Sequence, residues 1–426
     1  MATQRVFQAM INDYLSNPLL KEELIKRDYL LSKIEKDDGW IGVSGSNGAN
    51  GGALIVPFKA AGASSVSYGQ LTASNDIADD VYVRGQISQQ PEFWASMQFH
   101  GRDLMEHNKV SEKNFLKILP DTIDDFMAYI KGVVSVNLLN GAHFAKTTAA
   151  ATTNTGNIVV DRPDRFVIGQ KVVVEATSPT TITAYVKSVN TNTKTINLVT
   201  TRGGSTVVNF STNNSPSGSK VYNDGAQTAP FSSLRDALLS NANGGSATLY
   251  GVTKTDYPYT QAINIDGSGA TSSNLLTKIF DGFTTTRKDG KGAPTDIIMS
   301  YSNLAVCMKI IEASKGAYNV VPNSNKAEVY GWTEITVGSV TSQPLKLIGV
   351  QEMEDDVIYY IDWRALKFYS NGFFRKNVSP DGNEFFVERA QTGYKYIIDI
   401  CLFGDLVVNR PSYCGIMYGI NINYTA

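Results

Sequence analysis

Residues 120–141 read PDTIDDFMAYIKGVVSVNLLNG. Ile123, Phe126, Met127, Ile130, Val133, Val134 and Leu138 recur at three-and-four spacing, the period of one face of an α-helix. Pro120-Asp121-Thr122 suits a helix start, and Asn140-Gly141 a helix end. At 1.5 Å per residue the roughly twenty residues span about 30 Å, enough for the spine of an elongated domain. Upstream, residues 53–99 read as an extended two-stranded excursion. Leu54-Ile55-Val56 and Val66-Ser67-Tyr68 lie on the way out, Val81-Tyr82-Val83 and Gln86-Ile87 on the way back, with the turn near Ser74-Asn75-Asp76. A lone ribbon buries too little to be stable in water, so it asks for a partner surface, which another copy of the chain would supply. Further upstream, the Gly/Ser/Asn-rich stretch Gly42 to Gly52 has the composition of a flexible connection. The first forty residues read as two helices, one through Leu15 and one capped by Asn17-Pro18 that carries Leu20, Leu24, Leu31 and Ile34 and stops at Asp37-Asp38-Gly39. This N-terminal arm is expected to be tethered, not embedded in a core.

Downstream of the spine the period changes to two. Phe166 to Val174, Ile182 to Val189 and Thr195 to Val199 alternate as strands, with Asn190-Thr191-Asn192-Thr193-Lys194 as a hairpin loop. A small all-β barrel or sandwich is the simplest reading, with low-complexity linkers at Thr147 to Gly156 and Ser211 to Ser219. Helices are then expected after Ser232-Ser233, over 273–286 and over 302–314, with strands at 296–299, 329–337, 345–350, 357–361 and 396–408. This is an α+β pattern with a β-rich C-terminus.

At 426 residues and 42% hydrophobic content the chain can bury a large core and should form two or three lobes. A formal net charge of -2 excludes the basic excess behind tight, sequence-independent nucleic-acid binding. Cys307, Cys401 and Cys414 form no CxxC pair, as suits a reducing compartment, and cytoplasmic assembly follows from that. The N-terminus has no apolar leader and no stretch reaches the length of a membrane span.

The order of elements resembles the major capsid proteins of tailed bacteriophages, with the Hong Kong 97-type capsid fold. Local segments are similar too: Pro294 to Ser300 leading into a helix, the pair Asp356 to Trp363 and Phe368 to Phe374, and the ending Phe403 to Pro411. The resemblance implies an α+β Hong Kong 97-like fold with a helical N-arm over 1–52, an extended β-ribbon loop over 53–99 and a peripheral domain with the spine helix over 100–150. An inserted β-barrel or sandwich would follow over 151–222, an axial α/β domain over 223–385, and C-terminal strands over 386–426 returning to the peripheral domain. It implies self-assembly through hexamers and pentamers into an icosahedral shell around double-stranded DNA. The partners would be the chain itself, portal and scaffolding or decoration proteins, and packaged DNA in weak contact, in a virion assembled in the bacterial cytoplasm and without membrane association. The alternatives are a tail or adhesin component and a carbohydrate-active enzyme.

No GxSxG, GxxxxGK[ST] or HExxH motif is present, and Gly267-Ser268-Gly269 lacks the third glycine of a dinucleotide site. His100, His107 and His143 lack metal-ligand spacing. Glu352, Glu354, Asp355 and Asp356 have the composition of a Ca²⁺ site or, with Asp362, of paired hydrolytic carboxylates, but a solvated turn between strands explains them more simply. Cys307 shares a helical face with Leu304, Met308 and Ile311 and reads as core. No catalytic, cofactor or metal residue is therefore assigned. The resemblance raises one covalent option, an isopeptide cross-link from Lys59, whose plainer role is an edge-strand charge. In the barrel, Arg162, Arg165, Lys171, Lys187, Lys194, Arg202 and Lys220 with Phe166 and Tyr185 suggest a binding face for single strands or sugars, against the commoner case of scattered solvated charges.

Overall fold

The computed structural model describes residues 29–37, 54–61, 81–87, 91–100, 112–151, 155–177, 180–210, 215–227, 231–313, 334–337, 345–370, 377–378, 384–385, 387–389 and 395–422. The expected helix through Leu15, the glycine-rich connection, the ribbon tip and His107 lie outside them. The chain divides into two compact units, one of residues 1–20, 91–233 and 376–400, the other of residues 21–90, 234–375 and 401–426.

In the first unit the spine helix runs Glu112–Asn140 and begins eight residues before Pro120. An interior proline forgoes its N–H bond and its ring presses on the carbonyl four residues earlier, at a cost of about 3 kcal/mol that this 29-residue helix carries. Val133 and Val136 pack with Phe144 on the following strand His143–Lys146. Gly141, at φ 102°, makes the turn between them.

That strand opens a six-stranded antiparallel sheet: His143–Lys146, Lys220–Asn223, Lys171–Glu175, Thr181–Asn190, Thr195–Val199 and Asn157–Val159 in spatial order. A bridge between Thr147 and Val160, with Thr148 N–H donating to Val159 O at 2.9 Å, joins the two outer strands and closes the sheet into a barrel. Closure removes the unpaired edges an open sheet would present. Inward-facing Val172, Val174, Ile182, Ala184, Val186, Ile196, Leu198 and Val221 fill it, as the period-two pattern requires. Gly156, at φ 67°, is irreplaceable, because a Cβ there would stand 2.5 Å from Leu198 O. In the hairpin loop Asn190 Oδ1 accepts from the amides of Asn192 and Thr193. The barrel starts at His143, ahead of the expected boundary at 151, because the spine's closing turn leads straight into its first strand.

The second unit is built on a mixed sheet in the order Ile263–Asp266, Gly415–Tyr418, Val357–Ile361, Asp296–Ser300, Leu345–Val350 and Glu334–Val337. Helices Leu275–Asp289 and Tyr301–Ala313 lay Leu276, Ile279, Leu304 and Cys307 on Ile297, Met299, Leu347, Ile358 and Met417. Val357–Ile361 is buried throughout, the continuous apolar run of a strand covered on both faces. Cys307 and Cys414 are free thiols, each pushed up to about 12 by burial. Of the C-terminal segment expected over 386–426 to return to the peripheral domain, residues up to 400 group with the first unit, while Gly415–Tyr418 pairs inside this sheet, between Ile263–Asp266 and Val357–Ile361.

The arm expectation also changes for residues 29–37. Leu30, Leu31 and Ile34 are buried, and Glu35–Asp37 adds in parallel to Leu366–Ser370. Buried Asp296 supplies the polar reason: its Oδ2 accepts from Tyr29 Oη at 2.8 Å and from Trp363 Nε1 at 2.5 Å. A buried carboxylate needs such donors, and one comes from the arm. No helix among the described residues is long and apolar enough to cross a membrane.

Candidate assembly surface

Leu54–Ala61 and Val81–Ile87 pair antiparallel, Leu54 opposite Ile87 and Phe58 opposite Val83, so alternate residues fall on two faces. Leu54, Val56, Phe58 and Gly85 are buried. The other face presents Ile55 at 39% exposure and Tyr82 at 59%, with exposed Pro57, Arg84 and Gln86 and half-buried Lys59. The inner face thus finds cover within the chain's own second unit, which the sequence reading of a ribbon needing an outside partner did not anticipate.

The cover is a hairpin. Thr248–Leu249 and Val252–Thr253 pair through the two-residue loop Tyr250-Gly251, with φ 50° and 81°. Positive φ at both loop positions is the type I′ pattern, for which Asn-Gly is the usual pair. A tyrosine in the left-handed region is strained, so its side chain must be held. The Tyr250 ring stacks on Phe58 at 5.9 Å and 9°. Its hydroxyl donates to Leu406 O at 3.1 Å and accepts from Val408 N–H at 3.0 Å, standing where a neighbouring strand's backbone would be. Its carbonyl accepts from Gln86 N–H at 2.7 Å. A Cβ at residue 85 would lie 2.6 Å from the Phe58 ring, so glycine is required for the ring to cross the ribbon.

The hairpin is fixed from behind. Lys254 is buried, and its ammonium donates to Asp236 O and, at 2.7 Å, to Leu239 O, capping helix Leu234–Leu238. Burial lowers the Lys254 pKa to about 8. The same helix carries Arg235, whose fork reaches Glu354 Oε2 at 2.6 Å and Asp356 Oδ2 at 2.7 Å.

Those contacts revise the solvated-turn reading of the acidic run. Glu354 is buried and, with Asp356, shares the Arg235 guanidinium, while Asp362 lies at the far end of the strand Val357–Ile361, bound by Arg364 and the Ala293 amide. The carboxylates considered for acid-base work are therefore not brought to one pocket. His143 is buried on the first barrel strand, and no group of three metal-ligating side chains occurs among the described residues. In the barrel Phe166 is core, edge-on to Phe144 at 5.3 Å, and Arg165 is buried with Nη1 on Phe144 O. Arg162 and Lys171 pair with Asp164 and Asp224, and Tyr185 is half-buried opposite Lys171. Of the suggested basic and aromatic face, Phe166 and Arg165 point inward, while Lys187, Lys194, Arg202 and Lys220 are exposed.

A scan against family models and a search of curated proteins gave no match. Among solved structures, the Cyanophage A-1(L) capsid is similar at 12% identity, covering 91% of this chain and 93% of that one, with a TM-score of 0.40. The capsid of Myoviridae phage XM1 is similar at 10% identity over 92% and 91%, TM-score 0.38, and that of a native GTA particle at 9% over 91% and 89%, TM-score 0.42. At these values the likeness is too loose to assign a role by itself. These three structures are capsids.

Proposed function

We propose that this chain is a tailed-phage major capsid protein, a structural subunit without catalytic function that associates through hexamers and pentamers into an icosahedral shell around double-stranded DNA. The observation that carries the proposal is the ribbon. Its inner face is locked by Tyr250, while Ile55, Pro57 and Tyr82 stay exposed on the outer face. Anchoring one face pre-organises the other, so covering it with a neighbouring copy costs little further ordering. Each such contact is small, but closure of a symmetric shell multiplies it. In this reading the long helix and barrel belong to a peripheral region, the mixed sheet to an axial one, and the barrel is an insertion. Scaffolding, portal and decoration proteins are the expected partners, and the host cytoplasm the place of assembly. Negative-stain electron microscopy of purified protein across salt concentrations tests the proposal. Closed shells, or hexamers and pentamers converting to them, support it; small rings, trimeric fibres or persistent folded monomers overturn it.

A further inference from the structure

Residues 29–37 dock on the second unit the way a linear peptide docks on a receptor. Tyr29 is the anchor: its hydroxyl donates to Asp296 Oδ2, and its ring stands edge-on to the Trp363 indole, 5.9 Å between centres and 64° between planes. Leu30, Leu31 and Ile34 are buried, while Ser32 and Lys33 between them face water. Glu35–Asp37 then adds in parallel to Leu366–Ser370, and Glu35 Oε1 meets Lys367 Nζ at 3.1 Å. Backbone pairing gives affinity and side-chain seats give selectivity, the division found in strand addition at a sheet edge.

The receiving surface is built without this segment. Leu366–Ser370 is paired along its whole length, on its other side, with residues 404–408. Asn409 N–H donates to Ala365 O at 2.9 Å, and Asp362 caps the turn Trp363–Ala365 by accepting from the Arg364 amide. Asp296 sits in the strand Asp296–Ser300, between two others, and has the Trp363 indole as a donor independently of Tyr29. A preformed site of this kind needs little ordering to bind, and it takes the same residues from any chain that offers them. Residues 38–53 join the segment to the ribbon strand Leu54–Ala61 and span at most about 55 Å when extended. A tether of that length is compatible with the site on its own chain and with the same site on a copy packed beside it. Exchange of an identical element keeps every buried contact, so it links copies at little cost. We propose that Asp296, Trp363 and the edge of Leu366–Ser370 form a peptide-docking site whose ligand is the segment Tyr29 to Asp37, and that copies of this chain exchange the segment. The site stands on the contacts above. The exchange rests on the self-association proposed for the shell, through residues other than those of the ribbon's outer face.

Cross-strand disulfides read the exchange. Cα partners on neighbouring strands stand about 5 Å apart, within disulfide range, and Glu35 is the partner of Lys367. Two full-length chains with different tags, one carrying Glu35→Cys and the other Lys367→Cys, are co-expressed, purified together and treated with oxidised glutathione. On a non-reducing denaturing gel the mixed dimer should stand at least about tenfold above a pair carrying Glu35→Cys and Lys309→Cys, whose exposed Lys309 lies on helix Tyr301–Ala313. Adding Asp296→Ala to the Lys367→Cys chain should abolish the band. A fluorescein-labelled peptide of residues 27–39 tests the site itself: it should bind full-length Tyr29→Ala, whose own segment has lost its anchor, and not Tyr29→Ala/Asp296→Ala. Circular dichroism checks that each variant is folded. No band above the Lys309→Cys pair overturns the exchange. A band that survives Asp296→Ala, or a peptide that binds both chains equally or neither, overturns the site. Particle formation is scored separately by microscopy: particles without the band reject the exchange and leave the shell reading standing, and the band without particles does the reverse.

Discussion

Replacing Tyr250 by phenylalanine removes one oxygen and keeps the ring stacked on Phe58. The lost hydroxyl leaves Val408 N–H and Leu406 O without their partner, and both residues are fully buried. An orphaned buried backbone group costs about 1–3 kcal/mol, or about 2–6 kcal/mol for the pair; with water reaching one of them, roughly 2–4 kcal/mol is expected. Native-state hydrogen exchange reads this locally. Protection at the Val408 amide should fall by roughly 30- to 1000-fold for that free energy, while protection in Val357–Ile361 should hold. Tyr250→Asn is the complement: asparagine suits the left-handed loop position, so the hairpin should persist while the ring contact with Phe58 is lost. Limited proteolysis should then cut the ribbon base in Tyr250→Asn well before Tyr250→Phe. Val408 protection within threefold of the parent in Tyr250→Phe would refute the bridging role of the hydroxyl.

Gly85→Ala should push the Phe58 ring off its seat at a cost of about 1–3 kcal/mol and lower particle yield, measured by sedimentation. Asp296→Ala should release residues 29–37 from the second unit, seen as earlier cleavage there by trypsin, because Tyr29 and Trp363 lose their shared acceptor. Lys254 binds its proton less tightly folded, at about 8, than unfolded, at 10.5, so the unfolded chain holds more protons between those values and stability from this group rises with pH across that window. Lys254→Met should abolish that rise in urea midpoints compared with the parent. On a denaturing gel of assembled particles, an intact monomer band would rule out the Lys59 cross-link, and that is the expected result.

Long-period signals were legible in the sequence. The spine, the alternating barrel strands and helices Leu275–Asp289 and Tyr301–Ala313 follow from apolar periodicity, which burial alone dictates. Contacts made at long sequence separation were not. Nothing near Asp296 announces that Tyr29 will bond it 267 residues away, so the arm read as tethered. The acidic run read as solvated because Arg235 lies more than a hundred residues upstream of it. Tyr250-Gly251 carried a faint signal, a two-residue break between Leu249 and Val252, but tyrosine in place of asparagine hid the turn. In the barrel, counting residue types missed that Arg165 and Phe166 turn inward, because composition does not say which face of the sheet a side chain takes.

In the barrel the chain's entry and exit strands are direct neighbours, with His143 opposite Tyr222. Antiparallel partners stand about 5 Å apart, close enough for a turn of two or three residues to join them. Excising residues 143–223 would leave the remaining chain only that gap to bridge, but it would also uncover Val133 and Val136 of the spine helix, which share the barrel's core. The same site would accept a foreign domain whose ends lie equally near each other.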